Sequence, residues 1–377
     1  MKICIIGLDD FPQLAGHEDI QFVGGESVQH VLLAHAWRDL GHEVSIIVHD
    51  QGQGRDQTVD GIRAVAAFRR DEGIPVLRFA HPRLTGLIGA MREVDADVYY
   101  QSPSAAATGF TAWFCRRFGK RSLVRIASDL GCIPGKQLIR YWRDRRIYEY
   151  GLRHADIIVA QTEHQRTLLR QNYGLQSEVI NMIADIPPMS NVQQNIDVLW
   201  VANLRPVKRP EILFELARQL PHLSFAIAGG ALPGMESYYE TMISEAAKFP
   251  NLSILGAVPY AQVGAVFERA RLLVNTSSME GFPNTFLQAW ARSIPVVSFF
   301  DPDSLTKRLN LGRAVGTTEE MTQAIEELIR DEPLRRSMGQ RAREFCIGQF
   351  SASQVANRYI ELLRSEPATQ LRFGTAG

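Results

Sequence analysis

Two polar turns in the second half of the chain hold the residues best suited to chemistry. The apolar run 198–202 is followed by Asn203-Leu-Arg-Pro-Val-Lys-Arg-Pro210, which places Lys208 and one or both of Arg205 and Arg209 at the carboxyl end of a strand. Ammonium and guanidinium groups at such a place neutralise phosphate charge. A second apolar run, 272–274, leads into a small-polar turn with one carboxylate, Glu280. A helix opens near Pro283: proline suits a first helical turn, and Phe286, Leu287, Trp290 and Ala291 recur at helical spacing. Strand end and helix start therefore meet at 280–285. In an open parallel sheet this is where free backbone N–H groups and the helix dipole face a ligand, and an anion such as phosphate suits it. Gln288, one turn into the helix, looks toward the same crevice as Glu280.

The elements that must position these turns alternate throughout. Strand-like runs occur at 2–7, 43–48, 62–68, 98–101, 122–127 and 157–161, with a helix at 27–40 whose residues Val28, Val31, Leu32, Ala36 and Leu40 share a side. The second half repeats the pattern: strands 197–202, 224–228, 252–255, 272–274 and 294–298, and helices 210–220 and 237–248. Residues 181–195, with Pro187, Pro188 and no periodicity, read as a linker. The fold class is α/β, with doubly wound sheets in two domains, and 377 residues is too long for one ordinary core. With 41 basic and 41 acidic residues, the total demands neither a nucleic acid nor any strongly charged partner. Four scattered cysteines show no zinc or disulfide spacing, no apolar run reaches membrane-spanning length, and residues 2–7 read as a first strand rather than a leader. A cytoplasmic protein is expected.

The stretch Glu280-Gly-Phe-Pro-Asn-Thr-Phe-Leu-Gln288 resembles the E-x7-E signature of the retaining GT-B glycosyltransferases, glycosyltransferase family 4 (group 1), with Gln288 in place of the second Glu. The 203–208 turn resembles the family's G-R-L-x-x-x-K pattern, with Asn203 at the Arg position and Lys208 at the Lys position. Gly24-Gly25-x10-Ala36-x3-Leu40-Gly-His-Glu-Val44 resembles its N-terminal signature. The resemblance implies two Rossmann-like domains facing a cleft: an acceptor-side domain at 1–185, a nucleotide-sugar domain at 196–350, and a crossing helix and tail at 351–377 that returns to the first. It implies sugar transfer from a UDP- or GDP-linked donor to a hydroxyl acceptor with retention, by a hexosyltransferase of polysaccharide or glycoconjugate biosynthesis. The donor phosphate itself would help to take the acceptor proton, so neither a metal nor another cofactor is required. Glu280 would contact the sugar, Gly281, Phe282, Pro283, Asn284 and Thr285 the diphosphate, and Gln288 the ribose. Lys208 would meet the diphosphate, with Arg205 as a substitute guanidinium. The loop 255–260, with Val258, would receive the base, and Gly24 and Gly25 would border the acceptor and donor phosphates.

Other residues leave alternatives open. Gly229, in the turn after 224–228, admits backbone close to a ligand or simply makes a turn. Asp129 at a strand end orients sugar or acceptor, or caps a turn. Arg209 reads as a solvated helix start, and His30, His35 and His42 as solvent-facing or packed. Ala127 and Ser128 stand where the family often carries a histidine. Asp301-Pro-Asp303 looks like a DxD metal motif but reads as a turn. No GxGxxG with a following acidic residue marks a dinucleotide enzyme. The segment 116–153 is rich in arginine with interleaved aromatics, which fits either a solvated helix face or peripheral contact with anionic lipid or a lipid-linked acceptor. Two rival functions remain: a GT-B-like protein that binds nucleotide sugar without transfer, and a nucleotide-sugar epimerase. The latter needs several crevice carboxylates and histidines, which the sequence does not supply.

Overall fold

The computed structural model describes residues 1–17, 24–74, 77–189 and 191–365; residues 22 and 23 of the Gly-Gly loop and the tail beyond 365 lie outside them. Two compact units result. One takes Met1–Ala15, Glu26–Asn181 and the chain from Val355; the other takes Met182–Gln354, with Gly16–Gly25 grouped alongside.

The first unit is built on β1 (Lys2–Ile6), β2 (Glu43–Asp50), β3 (Asp56–Val59), β4 (Ile62–Arg69), β5 (Val98–Gln101), β6 (Arg121–Arg125), β7 (Ile157–Ala160) and β8 (Glu178–Val179). Their order is β3-β4-β2-β1-β5-β6-β7-β8. Every neighbouring pair is parallel except β3 and β4. That antiparallel edge departs from the all-parallel expectation. Asp60 and Gly61 both take positive φ (49° and 76°), the two-residue hairpin turn that Asp-Gly favours. The last helix, Ala352–Arg364, belongs to this unit from Val355 on. Its Tyr359 is buried with its ring 5.7 Å from Trp37 and 6.1 Å from Tyr100.

The second unit contains β9 (Ile196–Val201), β10 (Phe225–Ala228), β11 (Leu252–Gly256), β12 (Ala270–Asn275), β13 (Val296–Ser298) and β14 (Gly312–Ala314), all parallel in the order β11-β10-β9-β12-β13-β14. Side chains alternate across this sheet. Val198 and Trp200 join Leu213, Leu216 and Phe225 on one face, while Leu199 and Leu273 pack with Phe286, Leu287 and Trp290 on the other. Burial of the last three contributes about 1.5–3 kcal/mol each and fixes the short helix Asn284–Trp290 against the sheet. Pro283 is the residue before that helix, in extended backbone, rather than within its first turn. No helix among the described residues is long and apolar enough to cross a membrane.

Candidate functional site

The strand order decides which turns meet. In the second unit β9, β10 and β11 run outward to one side, while β12 lies on the other side of β9, with Leu272 beside Val198 and Leu273 beside Leu199. The order reverses between β9 and β12, and ligands of open α/β sheets bind outside the strand ends at such a point. The 203–210 and 275–285 turns leave these two strands side by side.

Hydrogen bonds stitch the turns together. The Thr276 hydroxyl accepts from the Trp200 indole N–H (2.9 Å) and directs its proton at the carbonyl oxygens of Lys208 (2.7 Å) and Arg209 (3.0 Å). The Ser278 N–H donates to the Val207 carbonyl (2.9 Å). Upon this frame Lys208 Nζ lies 2.5 Å from Glu280 Oε1, both side chains nearly buried at 13% and 11% exposure. Asn275 Nδ2 donates to the same carboxylate oxygen at 3.2 Å. An ammonium group and a carboxylate, 72 residues apart in the chain, thus share one spot.

Arg209 differs from the solvated reading. Its φ of 49° turns the side chain back, so that Nε donates to the Thr276 carbonyl (2.7 Å) and the guanidinium lies 4.7 Å from the centre of the Phe299 ring. Arg205 is exposed; its carbonyl accepts from the Lys208 N–H (2.9 Å), and among the described residues no side-chain hydrogen bond or ion pair joins it to Lys208 or Glu280. Asn203 is half-buried just past β9. A Cβ on Gly229 would lie 1.8 Å from the Ala202 carbonyl oxygen, so this glycine is required by the approach of two strand ends. The Phe282 ring packs on Phe350 (5.4 Å) and Trp290 (6.2 Å). Gln288 is hydrogen-bonded to Tyr260, whose hydroxyl is pushed up to about 12, chiefly by burial. Tyr260 begins the helix Tyr260–Glu268 just after Val258, so Gln288 is tied to the 255–260 loop.

In the first unit Asp129 starts a short turn and accepts from Gln165 Nε2 (3.0 Å), with His164 Nε2 at 3.8 Å. This links it to the helix Glu163–Tyr173. Gly25 opens the helix Gly25–Asp39, and Gly24 precedes it. Asp301 accepts from the backbone N–H groups of Thr306 (2.7 Å) and Lys307 (3.2 Å), as a turn residue does. Among the described residues no group of three or more His, Cys, Asp or Glu is placed to hold a metal.

One cluster escaped the sequence reading. At the strand ends where the first sheet reverses order, between β1 and β5, the Glu26 carboxylate accepts from Arg125 Nη1 (2.8 Å) and from the Ser102 hydroxyl, and lies 3.4 Å from His30 Nε2. His30 Nδ1 is 2.6 Å from Asp10 Oδ2. Burial alone would raise Glu26, but Arg125 and then His30 outweigh it and hold the carboxyl at about 2. Burial would likewise lower His30, and the Asp10 carboxylate instead lifts it to about 9. Gly7 makes room: a Cβ there would lie 1.7 Å from Asp10 Oδ2. Only the i, i+4 spacing of Glu26 and His30 hinted at this cluster. Asp10, Ser102 and Arg125 arrive from separate strands.

Two parallel-sheet α/β units with these elements define the GT-B architecture. The chain aligns with HepE from Anabaena, solved in complex with UDP and glucose, at a TM-score of 0.76 and 17% identity, over 97% of this chain and 100% of that one. Residues 24–184 match the family model described as "Glycosyl transferase 4-like domain", and residues 185–345 match "Glycosyl transferases group 1". The chain belongs to the group 1, GT4-like glycosyltransferases. The lipopolysaccharide core biosynthesis glycosyltransferase LpsE of Rhizobium meliloti (strain 1021) is 34% identical over 100 residues, a match spanning 26% of this chain and only 29% of that relative. The D-inositol 3-phosphate glycosyltransferase of Corynebacterium aurimucosum is 24% identical over 320 residues, 73% of this chain and 74% of that one.

Proposed function

We propose that this glycosyltransferase moves a hexosyl group from a UDP- or GDP-linked donor to a hydroxyl of a sugar, lipid-linked or small-molecule acceptor, with retention of configuration. The setting is cytoplasmic polysaccharide or glycoconjugate biosynthesis. The observation that carries the reading is the Lys208–Glu280 pair at the point of strand reversal. An arriving diphosphate competes with Glu280 for the ammonium group and frees the carboxylate to accept from sugar hydroxyls. Backbone N–H groups of Gly281, Phe282, Asn284 and Thr285 supplement the cation, and Gln288 with Tyr260 borders the ribose and base. The anomeric C–O bond to phosphate breaks, the acceptor oxygen bonds to the same carbon, and its proton passes to the departing phosphate. Lys208 supplies the positive charge in this scheme, so turnover is expected to persist in EDTA.

A donor panel tests it: thermal shift with UDP-, GDP- and ADP-sugars, then donor hydrolysis and transfer. Glu280→Ala abolishes transfer while nucleotide binding survives; unchanged activity overturns the assignment. One observation favours a second reading, binding without transfer: Gln288, which offers one acceptor where a carboxylate offers two, is already occupied by Tyr260. Donor binding with no hydrolysis or transfer would support it.

A further inference from the structure

The segment 116–153 is predominantly basic in sequence but divides in the fold. Tyr148 and Leu152 are buried, and Tyr150 stacks on His154 at 4.1 Å. Leu138, Tyr141 and Trp142, by contrast, are 83%, 51% and 77% exposed. Looseness does not account for this. Gln137, buried beside Leu138, donates to Tyr173 Oη (2.7 Å) and Glu149 Oε1 (3.1 Å). Ile139, buried on its other side, accepts from Arg145 Nε at 2.8 Å. The chain is pinned on both sides of a leucine that points to water.

A second, sequence-distant segment joins the same flank. The Arg143 guanidinium lies 3.4 Å from the centre of the Phe79 ring, which in turn is 5.5 Å from Phe110. Phe79 follows closely on Ile74 and Leu77, 65% and 60% exposed, and Trp113, one turn past Phe110, is 44% exposed. Cations accompany the first of these segments. Lys136, Arg140 and Arg146 are exposed, and no carboxylate among the described residues pairs with them, whereas Asp144 is already paired with Arg143 at 2.8 Å. Arg140 instead covers the Tyr141 ring at 5.4 Å.

We infer that this flank of the first unit docks on an anionic lipid bilayer. The side chains are those an interface selects: single apolar and aromatic groups that enter the headgroup boundary, set among long basic chains that reach lipid phosphates. A protein partner would be met by a more continuous apolar patch with fewer unpaired charges at its centre. The inference is independent of the donor chemistry.

Cosedimentation tests it, with vesicles of phosphatidylcholine alone and vesicles containing roughly a third phosphatidylglycerol. The protein partitions to the anionic vesicles only and is released at about 1 M salt. Leu138→Ser with Trp142→Ser lowers partitioning roughly tenfold or more, as does Lys136→Glu with Arg140→Glu. Ile74→Ser with Leu77→Ser lowers it by a smaller factor, which marks the second segment as part of the surface. These side chains are exposed and lie outside the donor site, so thermal midpoint and donor hydrolysis in solution stay unchanged in every variant. Equal binding to neutral vesicles, or binding indifferent to all three pairs of substitutions, overturns the proposal. So does a self-associated protein that ignores vesicles and becomes monomeric on Trp142→Ser.

Discussion

Both sheets bring carboxylates and cations to the strand ends where their order reverses, yet the two clusters are built differently. Lys208 and Glu280 form a pair at 2.5 Å with Asn275 as the side-chain partner beside it. Glu26 accepts from Arg125 and Ser102 and adjoins His30, which is itself held by Asp10. A pair with one neutral neighbour has fewer partners to lose if an anion competes for its cation. A buried network of opposite charges is hard to open, because removing one member strands another in low dielectric. The difference separates an element that exchanges partners from one that keeps its shape.

The largest effect that tests this contrast is on turnover. Glu280→Ala is expected to cut transfer by about a thousandfold, on the scale of losing one well-placed electrostatic group, while UDP affinity by calorimetry changes far less. Arg125→Met takes one cation from Glu26, which is 25% exposed and keeps only His30 beside it, so urea unfolding should show a loss of about 1–3 kcal/mol. Lys208→Met should cost clearly less in the same assay. Equal losses would break the comparison.

The third effect is on pH. His30 is raised from 6.5 to about 9, so its contribution is complete below 6.5 and is lost as pH climbs through 9. Glu26 is lowered from 4.5 to about 2, so its contribution is complete above 4.5 and is lost as pH falls through 2. Urea midpoints should therefore peak between pH 4.5 and 6.5 and fall on either side. His30→Asn should flatten the alkaline limb, and a limb of unchanged slope would exclude the network as its source. Smallest is Gln288→Glu, which adds a second acceptor and should tighten UDP binding by roughly tenfold or less. Weaker binding would show that the tie to Tyr260 matters more than the ribose.

The parallel alternation and the two polar turns were legible because each is local: an apolar run, a polar turn, then a helix at 3.6-residue spacing. Lys208 and Glu280 needed only one further step, that their strands be neighbours. Arg209 was misread because a left-handed backbone reverses its side chain, and nothing in Lys208-Arg209-Pro210 announces that φ. The β3–β4 hairpin was missed although Asp60-Gly61 carries its signal. Gly229 turned on a carbonyl from another strand, visible only in space. The Glu26 cluster was beyond reach for the same reason: Asp10 and Ser102 follow β1 and β5, Arg125 ends β6, and composition says nothing of strand order.

The last helix, finally, bears on how the molecule is made. Tyr359 touches Trp37 and Tyr100, and Tyr100 sets its ring edgewise against His30 at 5.5 Å. The wall behind the buried charges therefore comes from residues synthesised after the entire second unit. On a ribosome the first-made half emerges with that wall missing, and its buried charges gain it only after the second unit has been made.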